Sequence, residues 1–269
     1  MSTQPIIEFR NVSKHYSGVD AVVGLSFSLV PGEVTCLLGE NGAGKSTVIK
    51  MLTGLETPTD GTMLVDGRET QFTNPREARA AGISTVYQEV GTLPLMSVGR
   101  NFVLGAEPMR GFGPFKFMDI AKANRIALEE MRKLGIARVT DGNQLVGTLS
   151  GGERQALAIG RATYFGARVL VLDEPTAALG LRESATVLRL IEKVRDSGVA
   201  VLFITHNGYH AHATGDNFVV LRRGANVAQF SRGDRTVGEI MELMSGGEEL
   251  ARLLTSGEPL AAEQPSPQG

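Results

Sequence analysis

The chain of 269 residues has one cysteine and no tryptophan, and aromatic residues make up only 6% of it. Because Cys36 is the single thiol, no disulfide can form within the chain, which suits a reducing compartment. Cys36 lies in an apolar run, so we predict a small buried core residue rather than a reactive thiol. The 27 basic and 29 acidic residues nearly balance, and a net charge of −2 argues against broad nucleic-acid binding.

Long apolar segments are also lacking. No run approaches the roughly 20 residues that a membrane-spanning helix needs, and residues 199–204 form one of the longest. Residues 1–5 have neither the basic start nor the apolar centre of a signal peptide. We therefore expect a protein that does not span a membrane, although it could dock on one.

Residues 39–47 read GENGAGKST and match the pattern G-x-x-x-x-G-K-[ST], which chance places in about one chain in a hundred of this length. A predicted strand at 34–38 and a predicted helix at 47–52 flank this loop, which disfavours the alternative of a surface turn with an accidental lysine. Glycines there let backbone N–H groups surround an anion. Lys45 is then placed to reach the β- and γ-phosphates, and Ser46 to offer its hydroxyl to Mg²⁺. We predict a nucleotide-phosphate site made of Gly39, Glu40, Asn41, Gly42, Ala43, Gly44, Lys45, Ser46 and Thr47.

Two carboxylates, Asp173 and Glu174, follow the apolar run at 169–172. In a doubly wound sheet, ligands bind at the carboxyl ends of the strands, where the phosphate loop also lies. Asp173 is predicted to hold Mg²⁺ opposite Ser46, and Glu174 to polarise an attacking water. The alternative is a charged strand exit without a function, which the phosphate loop upstream disfavours.

The sequence LSGGE at 149–153 begins a predicted helix that runs to about residue 164. Ser150 and Glu153 fit a capping box, so an ordinary helix start is one interpretation. However, Gly151 and Gly152 in the first turn each cost about 1 kcal/mol relative to alanine. Such a cost indicates that something approaches the backbone closely, and we predict a second anion site here.

The phosphate loop, LSGGE at 149–153 and LDEPT at 172–176 occur in this order along the chain. Together they resemble the ATP-binding subunits of ABC transporters, over about residues 6–245. The resemblance implies an α/β fold: a P-loop NTPase core with a parallel-rich sheet, an N-terminal antiparallel β portion and an inserted helical subdomain at about 89–165. The apolar spacing at 118–134 predicts a helix, and residues 111–114 are too rich in glycine for a helix and predict a loop. We expect one ATPase domain over residues 1–254. Residues 255–269, rich in Pro, Ser, Gln and Glu, are expected to be disordered.

The resemblance also implies roles for single residues. Each ATP would lie between the phosphate loop of one subunit and the Ser150 helix start of a second, arranged head to tail. Tyr16 would stack on adenine, with a strand-edge aromatic as the alternative. Gln88 would sense Mg²⁺ and link to the helical insert. His206 would contact the γ-phosphate and position the water. Without the resemblance, a histidine after a strand is more often structural. The implied catalytic residues are Glu174, His206, Lys45 and Gln88; the implied nucleotide contacts beyond the loop are Tyr16, Ser150, Gly151, Gly152 and Glu153; the implied Mg²⁺ ligands are Ser46, Gln88 and Asp173.

Two positions stand apart from this pattern. After PTAAL at 175–179 the family usually has an aspartate that bridges to the partner subunit, and this chain has Gly180. We therefore hypothesise looser coupling across the dimer. His210 and His212 have the spacing of a metal pair, but the nearby sequence offers no cysteine, and we predict no metal site there.

Residues 92–102 (TLPLMSVGRNF) and 175–180 (PTAALG) resemble the bacterial monosaccharide importers of the ribose, xylose and fructose type. This branch implies an ATPase that works as a homodimer beneath two membrane permease subunits, fed by a periplasmic sugar-binding protein. It would lie on the cytoplasmic face of the bacterial inner membrane. Many members carry two ATPase halves in one chain, and this sequence has one half, without the β-rich regulatory domain of oligosaccharide-type subunits.

Part of the segment 90–102 would line the groove that receives a permease helix, or it would pack in the core. Two other functions share the ATPase motifs. One is an exporter subunit, because the direction of transport depends on the permease. The other is a soluble regulatory ABC ATPase, whose usual charged linker or long coiled coils are not seen in this sequence.

Overall fold

A computed structural model describes residues 4–88, 91–113 and 115–246. The strands within these ranges are β1 (Ile7–Tyr16), β2 (Val19–Leu29), β3 (Val34–Leu38), β4 (Asp60–Val65), β5 (Arg68–Glu69), β6 (Ile83–Val86), β7 (Met109–Phe112), β8 (Phe115–Met118), β9 (Val169–Asp173), β10 (Ala200–Thr205), β11 (Asn217–Arg222) and β12 (Ala225–Ser231). The α-helices are α1 (Lys45–Leu52), α2 (Pro75–Ala80), α3 (Val98–Phe102), α4 (Ile120–Lys133), α5 (Gly151–Tyr164), α6 (Leu181–Asp196), α7 (Gly208–Thr214) and α8 (Val237–Ser245).

One large mixed sheet organises the chain. Its strands lie in the order β5-β4-β1-β2-β12-β11-β3-β10-β9-β6. The run β11-β3-β10-β9-β6 is parallel throughout, whereas β5, β4, β1 and β2 pair antiparallel. The α/β class, the parallel-rich core and the N-terminal antiparallel portion predicted from the sequence are therefore confirmed.

The central strands are apolar along their whole length because both faces of the sheet are covered. Along β10, Leu202 and Ile204 belong to a cluster that includes the buried side of α1. Val201 and Phe203 point to the opposite face and pack with residues of α6, α7 and α8. Cys36 lies in this second cluster, where burial raises the pKa of its thiol, so the predicted core role is confirmed.

A third apolar cluster is built by helices that the chain inserts between β6 and β9. It joins α3, α4 and α5 through buried residues such as Phe102, Ala127, Met131 and Leu157. The helix predicted at 118–134 is α4, and its apolar stripe faces this cluster. The helical insert is present as expected, while the limits 89–165 stay a prediction.

Gly111 and Phe112, in the segment predicted as a loop at 111–114, belong to strand β7 of a β-hairpin, so the loop prediction is wrong. Strands β7 and β8 pair from Met109 opposite Met118 to Phe112 opposite Phe115. The glycines of this segment disfavour a helix but suit a hairpin. Gly111 has a positive φ of 106°, which glycine adopts without strain. Residue 114 and the predicted disordered tail at 255–269 lie outside the described residues.

Among the described residues, none of the helices combines the length and the apolar character that crossing a membrane requires.

The segment before α3 is held in place by one buried amide. Asn101 is buried, with only 3% of its surface exposed. Its Oδ1 accepts from the Leu93 N–H at 2.9 Å, and its Nδ2 donates to the Leu93 and Met96 carbonyls at 3.0 and 3.2 Å. This network fixes residues 93–96 against the helical insert.

Asn101→Ala is expected to lower the free energy of unfolding by about 2 kcal/mol, because part-buried backbone groups lose their partners. Urea unfolding of the purified protein measures the change. Gln71→Ala removes an exposed amide and should shift stability by less than about 0.5 kcal/mol. Equal effects of the two substitutions would contradict the structural role of Asn101.

Candidate active site

The carboxyl ends of neighbouring parallel strands meet at one edge of the sheet. Strand β10 lies between β3 and β9, with Thr205 opposite Leu38 and Ile204 opposite Asp173. Strand β6 pairs on the far side of β9. The phosphate loop after β3, the carboxylates at the end of β9 and the histidine after β10 therefore lie side by side, as predicted.

Glycine is required at two positions of the phosphate loop. Gly39 has φ of 151°, and a Cβ there would collide with the Leu221 carbonyl and lie 2.8 Å from the Ala43 Cβ. Gly44 has φ of 106°, and a Cβ there would lie 2.5 Å from the Ala21 carbonyl oxygen of β2. Both residues therefore let the loop pack closely against the sheet.

Helix α1 begins directly after this loop, with Gly44 as an N-cap that contributes no side-chain hydrogen bond. The described first turn of α1 contains no acidic residue, and Ser46 is exposed. The positive end of the helix dipole and its backbone N–H groups are thus open to an anion.

Lys45 is buried at the base of the loop, at 8% exposure. Its Nζ donates to the Gly39 and Glu40 carbonyls at 2.7 and 3.0 Å. Burial lowers the pKa of its ammonium, while the nearby Glu174 and Asp173 carboxylates oppose that shift. The ammonium is therefore close to the loop backbone and within the field of both carboxylates.

Asp173 and Glu174 place two carboxylates side by side. The pKa of Asp173 is raised, first by burial and then by the Glu174 charge, while Lys45 acts in the opposite direction. Glu174 is 8% exposed and has a positive φ of 48°, which is uncommon for a residue other than glycine. Its backbone N–H donates to the Ile204 carbonyl at 2.9 Å, which joins this turn to β10.

Two neighbours hold the Glu174 carboxylate. Thr205 Oγ1 donates to Glu174 Oε2 at 3.2 Å, and His206 Nδ1 lies 2.8 Å from Glu174 Oε1. Because an ionised carboxylate only accepts hydrogen bonds, Nδ1 carries the proton in this contact. The His206 side chain is 57% exposed, so its Nε2 remains for another ligand.

Tyr16 and Gln88 lie at two other places around this edge. Tyr16 ends β1 at 37% exposure, with Lys14 Nζ 5.1 Å from the ring centre. Its hairpin lies beside the phosphate loop, since Ala21 of the same hairpin approaches Gly44. Gln88 is exposed and follows β6, so it reaches the same edge from beyond β9.

The Ser150 helix start is a complete capping box. Ser150 Oγ accepts from the Glu153 N–H at 3.3 Å, and the Ser150 N–H donates to Glu153 Oε2 at 2.8 Å. A Cβ on Gly151 would collide with the Leu179 side chain, so packing within the chain explains this glycine. Gly152 is different, because a Cβ there would meet only ordinary contacts, the nearest at 3.5 Å.

The chain from Glu174 to Leu179 connects the two regions. Glu174 lies in the field of Lys45, and five residues later Leu179 touches Gly151. Among the described residues, the contacts of the Ser150 turn are to this segment and to α6, not to the phosphate loop of the same chain. The structure therefore brings the loop, both carboxylates and His206 together, and leaves the Ser150 turn apart from them.

Residues 22–177 match the family model for ABC transporters. The fructose import ATP-binding protein FrcA of Rhizobium meliloti is 39% identical over 255 residues, which cover 94% of this chain and 98% of that protein. This chain belongs to the ABC transporter family. This membership confirms the family resemblance that the motifs indicated. It also confirms the predicted class of protein, an ABC ATPase that binds nucleotide.

Two other similar proteins are named for sugar import. The ribose import ATP-binding protein RbsA 1 of Rubrobacter xylanophilus is 40% identical over 90% of this chain but only 47% of its own length. This chain thus spans about half of that relative. The xylose/arabinose import ATP-binding protein XylG of Sulfolobus acidocaldarius is 37% identical, with 89% of this chain and 94% of that protein covered.

Solved structures agree on the fold. An ATP-binding cassette of an ABC transporter in its ADP conformation superimposes with a TM-score of 0.75 at 23% identity, covering 95% of this chain and all of that one. A dimeric cassette in a post-hydrolysis state, bound to ADP and Pi, gives 0.69 at 24% identity and covers 85% of this chain and all of that one. At these identities the likeness concerns the fold alone.

This ABC protein also has a groove of about 330 Å³ beside β6 and α5. Tyr87, Thr92, Asn101 and Arg161 are among the residues that line it. The sequence analysis expected part of the segment 90–102 to line such a groove or to pack in the core. Within this segment, Phe102 is buried in the helical cluster, whereas Leu95 is 89% exposed. Residue 90 lies outside the described residues.

Sequence reasoning missed Thr205 and Thr176. Thr205 is fully buried; besides donating to Glu174, its Oγ1 accepts from the Asn207 N–H at 3.0 Å. The available signal was a threonine that ends an apolar strand directly before His206. Thr176 Oγ1 lies 3.0 Å from His210 Nδ1, which gives this histidine a partner within the chain.

Thr205→Val is expected to lower the free energy of unfolding by about 1–2 kcal/mol, because the Asn207 N–H loses its acceptor and Glu174 a donor. It should also slow ATP hydrolysis, since the Glu174 carboxylate is no longer fixed. Thr205→Ser keeps the hydroxyl and should stay near the wild type in urea unfolding and in steady-state ATPase assays. If valine and serine behave alike, the hydroxyl does not hold this site.

Proposed function

We propose that this chain is the ATP-hydrolysing subunit of an importer for a monosaccharide, with fructose, ribose and xylose as the candidate substrates. The observation that carries the proposal is the convergence of Lys45, Glu174 and His206 at neighbouring strand ends. Similarity to sugar import proteins over nearly the whole chain supports the sugar class and the import direction.

The phosphate loop and α1 bind the phosphates of ATP in this proposal. The backbone N–H groups of residues 39–47 surround the β-phosphate, and the end of the α1 dipole favours its charge. Lys45 exchanges its hydrogen bonds to the Gly39 and Glu40 carbonyls for the β- and γ-phosphates. Because burial disfavours its charge, the ammonium gains more from a phosphate than an exposed lysine would.

Three oxygen-bearing side chains fit Mg²⁺. The Ser46 hydroxyl, the Asp173 carboxylate and the Gln88 amide are the hard ligands that this cation prefers, and they end or follow strands at one edge of the sheet. The Asp173 carboxylate lies beside Glu174, so a cation there would relieve the repulsion between them. When bound, Mg²⁺ supplies charge neutralisation at the β- and γ-phosphate oxygens.

Glu174 and His206 act on the attacking water. Glu174 is held from two sides, so its carboxylate orients and polarises the water with little loss of entropy on reaction. The exposed His206 Nε2 contacts the γ-phosphate while Nδ1 stays on Glu174. Phosphoryl transfer depends mainly on such positioning and charge stabilisation.

A second copy of the chain completes each site. The contacts of the Ser150 turn are to its own α6 and to Leu179, and Ser150 itself is exposed. In a head-to-tail pair, Ser150, Gly151, Gly152 and Glu153 of one subunit meet the ATP of the other, and Tyr16 stacks on the adenine. ATP then closes the dimer, and hydrolysis removes the shared charge and reopens it.

The dimer works beneath two permease subunits on the cytoplasmic face of the inner membrane, with a periplasmic sugar-binding protein acting through the permease. The groove beside β6 and α5 receives a permease segment, since Tyr87 lines this groove and the next residue, Gln88, follows β6 at the edge of the sheet where hydrolysis takes place. An exporter subunit or a soluble regulatory ABC ATPase would use the same catalytic residues. The import proteins named among the relatives favour import.

Glu174→Gln is expected to bind ATP, to dimerise stably with it and to hydrolyse it at least a hundredfold more slowly, because the amide is a weak base. Size-exclusion chromatography and phosphate release measure the two effects. Glu129→Gln, an exposed change on α4, should leave both unchanged. Near-normal turnover of Glu174→Gln would refute the assigned role.

The same variant tests the biological function. Tagged Glu174→Gln, retrieved with ATP from detergent-solubilised native membranes, should bring down a polytopic permease together with a sugar-binding protein. Mass spectrometry identifies both, and the binding protein points to the sugar. Recovery of ribosomal or other soluble partners alone would overturn the importer proposal and leave the ATPase chemistry intact.

Gly180→Asp is expected to raise the cooperativity of ATP hydrolysis, because it restores the charge that bridges subunits in the family pattern. The site accepts a side chain, since a Cβ there would have its nearest neighbour, Glu183 Oε2, at 3.9 Å. Aspartate would also cap α6, by a few tenths of a kcal/mol over glycine. Gly180→Asn caps without charge and controls for this effect, with the Hill coefficient as the measurement. Unchanged cooperativity in Gly180→Asp would sink the hypothesis.

A further inference from the structure

The β7–β8 hairpin has one aromatic face. Residues opposite each other in an antiparallel pair share a face, and Arg110 lies opposite Phe117 while Phe112 lies opposite Phe115. Because side chains alternate along a strand, these four residues lie on the same side of the ribbon. The three phenylalanines and the arginine therefore form a single surface, which we call the aromatic face.

This aromatic face is exposed to solvent. Phe112, Phe115 and Phe117 are 91%, 72% and 61% exposed, which is unusual for three neighbouring phenylalanines. Residues 108–118 contain two cations and no acidic residue: Arg110 lies on the aromatic face, and Lys116, which pairs with Gly111, lies on the opposite face. Exposed aromatic rings together with positively charged side chains are found in segments that bind membrane surfaces.

The base of the hairpin anchors it to the helical cluster. Met118 is half-buried and packs against that cluster, and the Asp119 N–H donates to the Pro108 carbonyl at 2.7 Å, closing the base. Just before the hairpin, the Leu104 carbonyl accepts from Arg161 Nη2 at 2.6 Å. Arg161 also lines the groove beside β6 and α5, so the segment that leads into the hairpin begins beside that groove.

We propose that the β7–β8 hairpin binds the surface of an anionic lipid bilayer, with the three phenylalanines inserted between lipids and Arg110 and Lys116 at the headgroups. The place of the hairpin relative to a permease rests on the proposed function, because the groove is assigned to the permease there. The hairpin thus holds the ATPase against the membrane beside the permease.

The chemistry of the hairpin favours lipid over a protein partner. A stable protein interface buries about 1,200–2,000 Å² and uses matched hydrogen bonds, whereas this short ribbon presents one small face of three phenylalanines and one arginine. Lipids need no shape complementarity. The outer edges of a two-stranded ribbon carry unpaired backbone groups, so the backbone must stay at the hydrated headgroups while the rings enter.

The test is co-sedimentation of the purified full chain with vesicles of phosphatidylcholine, with and without an equal share of phosphatidylglycerol. The wild type should bind the anionic vesicles more strongly. The triple variant Phe112→Ser, Phe115→Ser, Phe117→Ser should lose on the order of a hundredfold in partition coefficient. Arg110→Gln with Lys116→Gln should lose about thirtyfold on anionic vesicles and the preference for them.

Leu55→Ser, at a 54% exposed leucine outside the hairpin, is the matched control and should stay within about twofold of the wild type. Thermal unfolding shows that every variant is folded. Absent binding of the wild type, or equal binding of the triple variant, overturns the proposal. Loss of permease co-purification in the triple variant, without any vesicle binding by the wild type, would also overturn it and assign the hairpin to a protein interface.

ATP hydrolysis in solution separates this proposal from the proposed function. The hairpin variants should keep the wild-type rate, because the hairpin lies outside the catalytic residues. Vesicle binding by a wild type that hydrolyses no ATP would support the membrane surface and count against the ATPase. Hydrolysis without vesicle binding would do the reverse.

Discussion

The parallel register of β10 between β3 and β9 is the constraint on which the site depends. Thr205 lies opposite Leu38, and Ile204 lies opposite Asp173, so three strands end at one level. A slip of β10 by one residue would turn Thr205 to the other face and separate it from Glu174. Two apolar clusters cover the faces of the sheet and fix this register, because alternate residues of β10 belong to different clusters.

Several locally unfavourable features occur together at this edge. Glu174 has a left-handed backbone conformation, Asp173 has a raised pKa, and the buried Lys45 has a lowered one. Each would be easier to accommodate on an open surface, and the packed strands around them hold all three in place. A bound cation would offset the charges of the two carboxylates, and a bound phosphate would offset the charge of Lys45. These features are therefore consistent with a site that is most stable when occupied.

The parts that the sequence predicts are those whose signal is local. The glycine loop before Lys45 and the carboxylates after β9 follow from strand, turn and helix patterns within about fifteen residues. The hydrogen bond from Thr205 to Glu174 joins residues 31 apart and depends on register, so no pattern in the chain announces it. The β7–β8 hairpin was not predicted, because its glycines are equally typical of a loop. Only the pairing of Phe112 with Phe115 distinguishes the two.

The two helix starts of the site differ in a way that gives them different chemistry. At α1 no side chain caps the first turn, so the positive end of its dipole is open to an anion. At α5 the Ser150 N–H is already bonded to Glu153 Oε2 and is not available to a phosphate. The Ser150 hydroxyl uses a lone pair to accept from the Glu153 N–H, which leaves its own proton to donate. In the proposed dimer, a phosphate of the partner's nucleotide would therefore meet the Ser150 hydroxyl and not the Ser150 N–H.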